Sequence, residues 1–239
     1  MLDGIDLIIS TVYREQNYLE ATLKSLAADQ PIGTDLPISL VVGSPISTHL
    51  DRYQLSPGIT IVEMGPNTWA WIKNSNVFHR ASWNYYRCLA QCAKGARGTL
   101  IFEDDVQFAR GWRSRLDCTL IALEERYGAD FVLAVYAPFA FAVHGQLYAK
   151  YPRAKFFGTQ GVYYTARTRV GFAKYLKKRG LVANEDGYDH LLRDYLLKED
   201  LPLLATTPSL IQHVGETTTG LGVWHRAPNF VEDVTAELY

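Results

Sequence analysis

Apolar positions in this chain fall into two alternating patterns. Short apolar runs of strand length occur at "IDLIIS" (5–10), "PISLVVGS" (37–44), "GITIVEMG" (58–65) and "DFVLAVYA" (130–137). Between them lie segments with a helical repeat. "NYLEATLKSLAA" puts Leu19, Leu23, Leu26 and Ala27 on one face, and Asn17 with Glu20 three residues later fits an N-terminal capping pattern. A second helix is expected to start at Ser82, carry Tyr85, Cys88, Leu89 and Cys92, and stop at Gly95 and Gly98. A third carries Leu116, Leu120, Leu123 and Tyr127 and closes at Gly128. The aromatic stretch between the third strand and the second helix, "PNTWAWIKNSNVFHRASW", reads as a long loop. This β-α-β alternation predicts an α/β sandwich with a mostly parallel sheet.

The second half is less regular. "KFFGTQGVYYTA" reads as a strand broken by glycines, "RVGFAKYLKKRG" and "YDHLLRDYLLKE" as helices, and "LPLLATTPSLIQHVG" as a strand, a turn at Pro208 and a last short strand. With no repeat, low-complexity segment or evident linker, the 239 residues are read as one domain. It has two functional halves, about 1–110 and about 111–239.

One stretch breaks the pattern. "TLIFEDDVQF" (99–108) ends an apolar run in three acids, Glu103, Asp104 and Asp105, and then turns apolar again. Two carboxylates about 4 Å apart repel by ~4 kcal/mol at an effective dielectric near 20. A cation is the simplest offset, and hard divalent ions take oxygen ligands from one or two carboxylates plus phosphates. If the strand continues, alternation puts Glu103 and Asp105 on one side and Asp104 on the other.

Ligands bind at the carboxyl ends of strands in open α/β sheets. After the first strand comes "TVYREQ", which is neither a dinucleotide-binding G-x-G-x-x-G nor a P-loop. Tyr13 suits a base and Arg14 a phosphate, while a merely solvated loop is the plain alternative. Asp186 and Asp189 open a helix, where acids complement the dipole and where a carboxylate facing a cleft can act as a general base. His213 ends the last short strand beside the polar loop "GETTTG", which has the character of a segment closing over a ligand. Trp69, Trp71, Phe78 and Trp83 are placed near the same cleft, or pack in the core.

The net charge of −1 gives no bulk attraction to nucleic acid or membrane. No apolar run is long enough to span a bilayer, and no leader or anchor precedes the first strand, so a cytoplasmic protein is expected. The three cysteines, Cys88, Cys92 and Cys118, are read as buried free thiols.

Taken in order, "STVYREQNYLEATLKSL", "SWNYYRCLAQCAKGARGTLIFEDDV", "GYDHLLRDYL" and "PSLIQHVGETTTG" resemble glycosyltransferases of the GT-A fold. The likeness is nearest to the N-acetylglucosaminyltransferase IV family and more distant for bacterial lipopolysaccharide glycosyltransferases. The resemblance implies a Rossmann-like GT-A sandwich and a nucleotide-sugar donor, UDP-linked, held with Mn²⁺ or Mg²⁺. It implies Asp105 as a metal ligand and His213 as a second candidate. It assigns Thr11, Val12, Tyr13, Arg14, Gly43, Ser44, Asn84, Arg87, Glu103 and Asp104 to the nucleotide, and Gly158, Gln160 and Gly161 to the donor sugar. Asp189 matches the catalytic base of an inverting hexosyl- or N-acetylhexosaminyltransferase, with Asp186 as runner-up. The acceptor hydroxyl belongs to a glycan, a lipid-linked sugar, a protein or a modified nucleic acid. A metal-dependent phosphohydrolase and a non-catalytic nucleotide-sugar-binding module stand as alternatives.

Overall fold

The first apolar run forms strand β1 (Ile5–Thr11), in which Leu7, Ile8 and Ile9 are all at most 1% exposed. Burial of successive residues means that both faces of the strand are covered, as in a sheet packed between helices. The computed structural model describes residues 2, 4–29, 37–44, 50, 55, 58–93, 95–141, 145–179, 186–217 and 224–235. Beside β1 lie β2 (Ile38–Val42) and, beyond it, β3 (Ile59–Val62); on the other flank lies β4 (Gly98–Glu103). All these pairs are parallel.

The sheet then continues into the second half through β8 (Gly161–Thr165), β6 (Val132–Ala134), β9 (Leu203–Thr206) and β7 (Tyr148–Lys150). β8 runs antiparallel to β4 and β6, and β7 antiparallel to β9, while β6 and β9 are parallel. Six of the eight strands therefore share one direction. The architecture is α/β with a large, mostly parallel central sheet and a Rossmann-like arrangement. Six α-helices accompany it among the described residues.

One face of the sheet packs against α1 (Tyr18–Leu26) and α4 (Trp112–Tyr127), through Leu19, Leu26, Leu116, Leu120 and Leu123. The other packs against α3 (Val77–Ala90), α5 (Ala166–Arg179) and α6 (Tyr188–Lys198), through Tyr85, Leu89, Phe172, Leu192 and Leu196. Asn17 caps α1 as its sequence predicts, its side chain accepting from the Glu20 amide at 3.3 Å.

Several expectations are corrected. The aromatic stretch is not a loop. It forms α2 (Pro66–Ile72), with Pro66 at the first helical position, and the start of α3, capped by Asn76 through the His79 amide. Ser82 is an interior, buried residue of α3. That helix ends at Ala90, and Gly98 opens β4. Only Cys88 is buried; Cys92 is partly exposed and Cys118 exposed.

The final short strand also does not join the main sheet. β10 (Ile211–His213) pairs antiparallel with β5 (Val106–Phe108), forming a separate ribbon in which His213 lies opposite Val106. Among the described residues, no helix is long and apolar enough to cross a membrane.

Candidate functional site

The parallel register brings the carboxyl ends of β1, β2 and β4 to one edge: Ser10 lies beside Glu103, and Thr11 beside Val42. β4 stops at Glu103, and Asp104 and Asp105 form the bend into β5, so strand alternation does not govern them. The bend nevertheless separates them. Glu103 and Asp105 line one cavity of about 320 Å³, and Glu103 and Asp104 line a neighbouring cavity of about 470 Å³. Arg14, Tyr188 and Thr217 border both cavities, which therefore adjoin.

Arg14 is the internal counter-charge to the acids. Its guanidinium pairs with Asp104 Oδ1 at 3.1 Å and with Asp105 Oδ2, and its side chain is 12% exposed. The solvated-loop alternative therefore fails for Arg14, although Tyr13 beside it is 50% exposed. Asp104 is further held by the Thr11 hydroxyl at 2.5 Å and the Val12 amide at 3.2 Å. Glu103 accepts from the Tyr188 hydroxyl at 2.8 Å and the Thr159 hydroxyl at 3.2 Å.

The three acids are not electrostatically equivalent. Burial, then the charge of Asp105, pushes Glu103 up to about 7. Burial also pushes Asp104 up to about 6, against the pull of Arg14. Asp105 resists burial and stays below its ordinary range, because His213 and Arg14 bond to it. In return Asp105 raises His213, and Asp104 and Asp105 raise Arg14, in each case over the opposing effect of burial.

These shifts have a consequence for stability. Glu103, Asp104 and His213 bind protons more tightly when folded, so the stability they contribute is complete below their unfolded pKa values. It is lost as pH rises through the folded values. Asp105 acts oppositely, but only at acid pH, as its depressed pKa is approached. With a chelator present, the melting temperature is therefore expected to fall between pH ~5 and ~8, where these groups titrate. A melting temperature that rises across that range contradicts the assignment.

The β5–β10 ribbon delivers His213 to this cluster. Its Nε2 lies 3.3 Å from Asp105 Oδ2, across 108 residues of sequence. Its Nδ1 lies 3.2 Å from the carbonyl oxygen of His225, the backbone-carbonyl support that a metal-binding imidazole commonly has. Asp105 Oδ1 is buried, with no hydrogen-bond partner among the described residues. A buried carboxylate oxygen without a donor, beside an oriented imidazole, fits a hard divalent cation. No group of three His, Cys, Asp or Glu among the described residues converges on one ion. The fit is thus to a cation taking two protein ligands and completing its shell from phosphate and water. Gly215 leaves room for Asp105: a Cβ at that position would overlap the Asp105 carboxylate.

Asp189 lies on the wall of the same 320 Å³ cavity, in the first turn of α6. It accepts from the His190 amide at 2.9 Å and the Gly158 amide at 3.4 Å. Asp186 is exposed ahead of the helix and does not line the cavity. Gly158 and Gln160 line it; Gly161 does not, and packs under Ile211 and Val135 instead.

Val12, Tyr13, Gly43, Ser44 and Asn84 line the larger cavity. Thr11 lies behind it, fully buried on Asp104. Arg87 is turned away to the carbonyls of Val42 at 2.6 Å and Val62 at 3.0 Å, clamping the ends of β2 and β3. Of the four aromatics expected near the cleft, Trp69 alone lines it; Trp71 is 55% exposed and packs edge-on against Trp83. Of the polar loop after His213, residues 218–220 lie outside the described residues.

Phe157 and Thr159, which the resemblance sets beside Gly158 and Gln160, line the smaller cavity too; sequence reasoning missed Tyr188, Trp224 and His225, which also line it. His225 is lowered by burial and by the neighbouring His213. Tyr188 sits one residue before Asp189 and could have been singled out with it; nothing in the local sequence marks His225. No protein-family model matches this chain, and no curated protein matches it in sequence.

Proposed function

We propose that the chain is a metal-dependent glycosyltransferase of GT-A architecture. In this reading it moves a sugar from a UDP-linked donor to an acceptor hydroxyl, with inversion at the anomeric carbon. The observation that carries the reading is the meeting of three features on one cavity: the donor-less Asp105 oxygen, the oriented His213 and the Asp189 carboxylate. The adjoining larger cavity, walled by Tyr13, Trp69 and Asn84, suits a nucleoside by its size and its aromatic rings.

Asp105 and His213 would hold Mn²⁺ or Mg²⁺, which when bound supplies positive charge for a diphosphate leaving group. Arg14, beside the same acids, offers a guanidinium to a phosphate oxygen. Asp189 takes the proton from the acceptor hydroxyl as its oxygen bonds to the anomeric carbon. The sugar–phosphate C–O bond breaks with its electron pair left on the diphosphate. The backbone amides of Gly158 and His190 hold the Asp189 carboxylate in place for that transfer.

UDP release from a panel of UDP-sugars, with Mn²⁺ and with a chelator, tests the reading. Turnover that requires Mn²⁺ is expected. Binding without turnover on glycan, lipid-linked, peptide and nucleic-acid acceptors would favour a binding module. Phosphate release from simple phosphomonoesters would favour a phosphohydrolase.

A further inference from the structure

The His225 side chain lines the smaller cavity and has no part in the chemistry above, where only its backbone carbonyl serves, beside His213. Its surroundings determine what it can offer a ligand. The Tyr136 hydroxyl lies 2.5 Å from His225 Nδ1 and 3.1 Å from the carbonyl oxygen of the same residue. A phenol has one proton, and a carbonyl oxygen only accepts. If Tyr136 donated to Nδ1, its oxygen would face the carbonyl oxygen at 3.1 Å with no proton between them. If Tyr136 donates to the carbonyl and Nδ1–H donates to Tyr136, both contacts are hydrogen bonds. The second arrangement satisfies the whole group and leaves Nε2 as a bare lone pair.

The same cavity wall carries the carboxylates of Glu103, Asp105 and Asp189 together with donors such as Arg14 and Gln160. Its apolar surfaces are Phe157, edge-on to His225 with ring centroids 5.2 Å apart, and Trp224, 42% exposed. A ligand that meets Nε2 and these two rings together brings a hydroxyl donor and an apolar face, as a sugar ring does. Gly158 approaches closely on the same side, where a Cβ would lie 3.3 Å from His225 Cε1.

We propose that His225 Nε2 accepts a hydrogen bond from a hydroxyl of the transferred sugar, and that Tyr136 fixes the tautomer that makes this possible. His225 is then a specificity-determining residue and Tyr136 a positioning residue. This rests on the nucleotide-sugar reading above.

The test is calorimetric titration in Mn²⁺, with UDP alone and with UDP-glucose, UDP-galactose and UDP-N-acetylglucosamine. It compares the wild-type chain with His225→Phe, His225→Gln and Tyr136→Phe. His225→Phe should weaken the tightest-binding UDP-sugar ~10-fold, the scale of one hydrogen bond, and leave UDP alone within about twofold. His225→Gln, which keeps an acceptor at a similar reach, should recover part of the loss. Tyr136→Phe should give a smaller loss confined to the UDP-sugar. Melting temperatures check that each variant folds, and Tyr136→Phe carries the test if His225→Phe does not. Equal weakening of UDP and UDP-sugar by the His225 variants overturns the inference, because it assigns His225 to the metal or the fold. Unchanged UDP-sugar affinity overturns it as well. If the wild-type chain binds no UDP in Mn²⁺, the nucleotide-sugar reading itself fails, and this inference with it.

Discussion

Asp189→Asn is expected to lower turnover by ~10²–10⁴-fold, the range for removing a general base. Nucleotide-sugar affinity should stay within about twofold. The substitution is nearly isosteric, and its amide oxygen can still accept from the His190 amide, now 2.9 Å from one carboxylate oxygen; the longer bond from the Gly158 amide, 3.4 Å from the other oxygen, is given up. What is lost is the capacity to take a proton. Asp186→Asn is the matched control, because that carboxylate is exposed ahead of α6 and lies off the cavity. Steady-state rates and donor titrations on both variants check the assignment. If Asp189→Asn turns over at near the wild-type rate, or if Asp186→Asn carries the loss instead, the base has been misassigned.

Arg14→Met should cost the chelated protein ~3 kcal/mol of stability at neutral pH, the lower end of what breaking a buried ion pair costs. Arg14 is the cation paired with both Asp104 and Asp105, whose side chains are at most 4% exposed. Methionine keeps much of the length and none of the charge. Among the described residues, Asp104 then retains Thr11 and the Val12 amide, and Asp105 retains His213. The loss should shrink toward pH ~5, because Glu103 and Asp104, raised to about 7 and about 6, can neutralise themselves by protonation. Saturating Mn²⁺ should stabilise the variant more than the wild type, since a cation that binds only the folded chain shifts unfolding by mass action. Urea denaturation with Mn²⁺ and with chelator measures each quantity. Equal stability of variant and wild type at neutral pH would show that Arg14 is not the balancing charge.

Much of the first half was legible because local chemistry and global placement agree there. β1, β2 and β4 are short apolar runs, and a strand buried on both faces requires that pattern. The acids announced themselves because ionisable groups at the end of such a run demand a partner. The stretch that forms α2 and the start of α3 was misread although its signals were present: Pro66 at a first helical position and Asn76 as a cap. Its density of aromatics hid them, because such residues mark loops, cores and ligand walls alike. β7 was not foreseen, since its three residues are too few to show a period. The departure of β10 from the main sheet was not foreseen either, because a strand's partner depends on chain far from it in sequence.

By itself the sequence determined the α/β layering, the edge of the sheet where polar chemistry gathers, and the identity of the acids and of Arg14. Those follow from periodicity and from the cost of burying charge, which are local properties. Only the tertiary structure decided which groups meet. The β5–β10 ribbon sets His213 against Asp105 across 108 residues. Tyr136, 89 residues from His225, orients that imidazole. The turn of α6 puts Asp189, and not Asp186, on the cavity wall. Each of these is a contact between distant segments, and its geometry is set by how the layers pack rather than by any local pattern of residues.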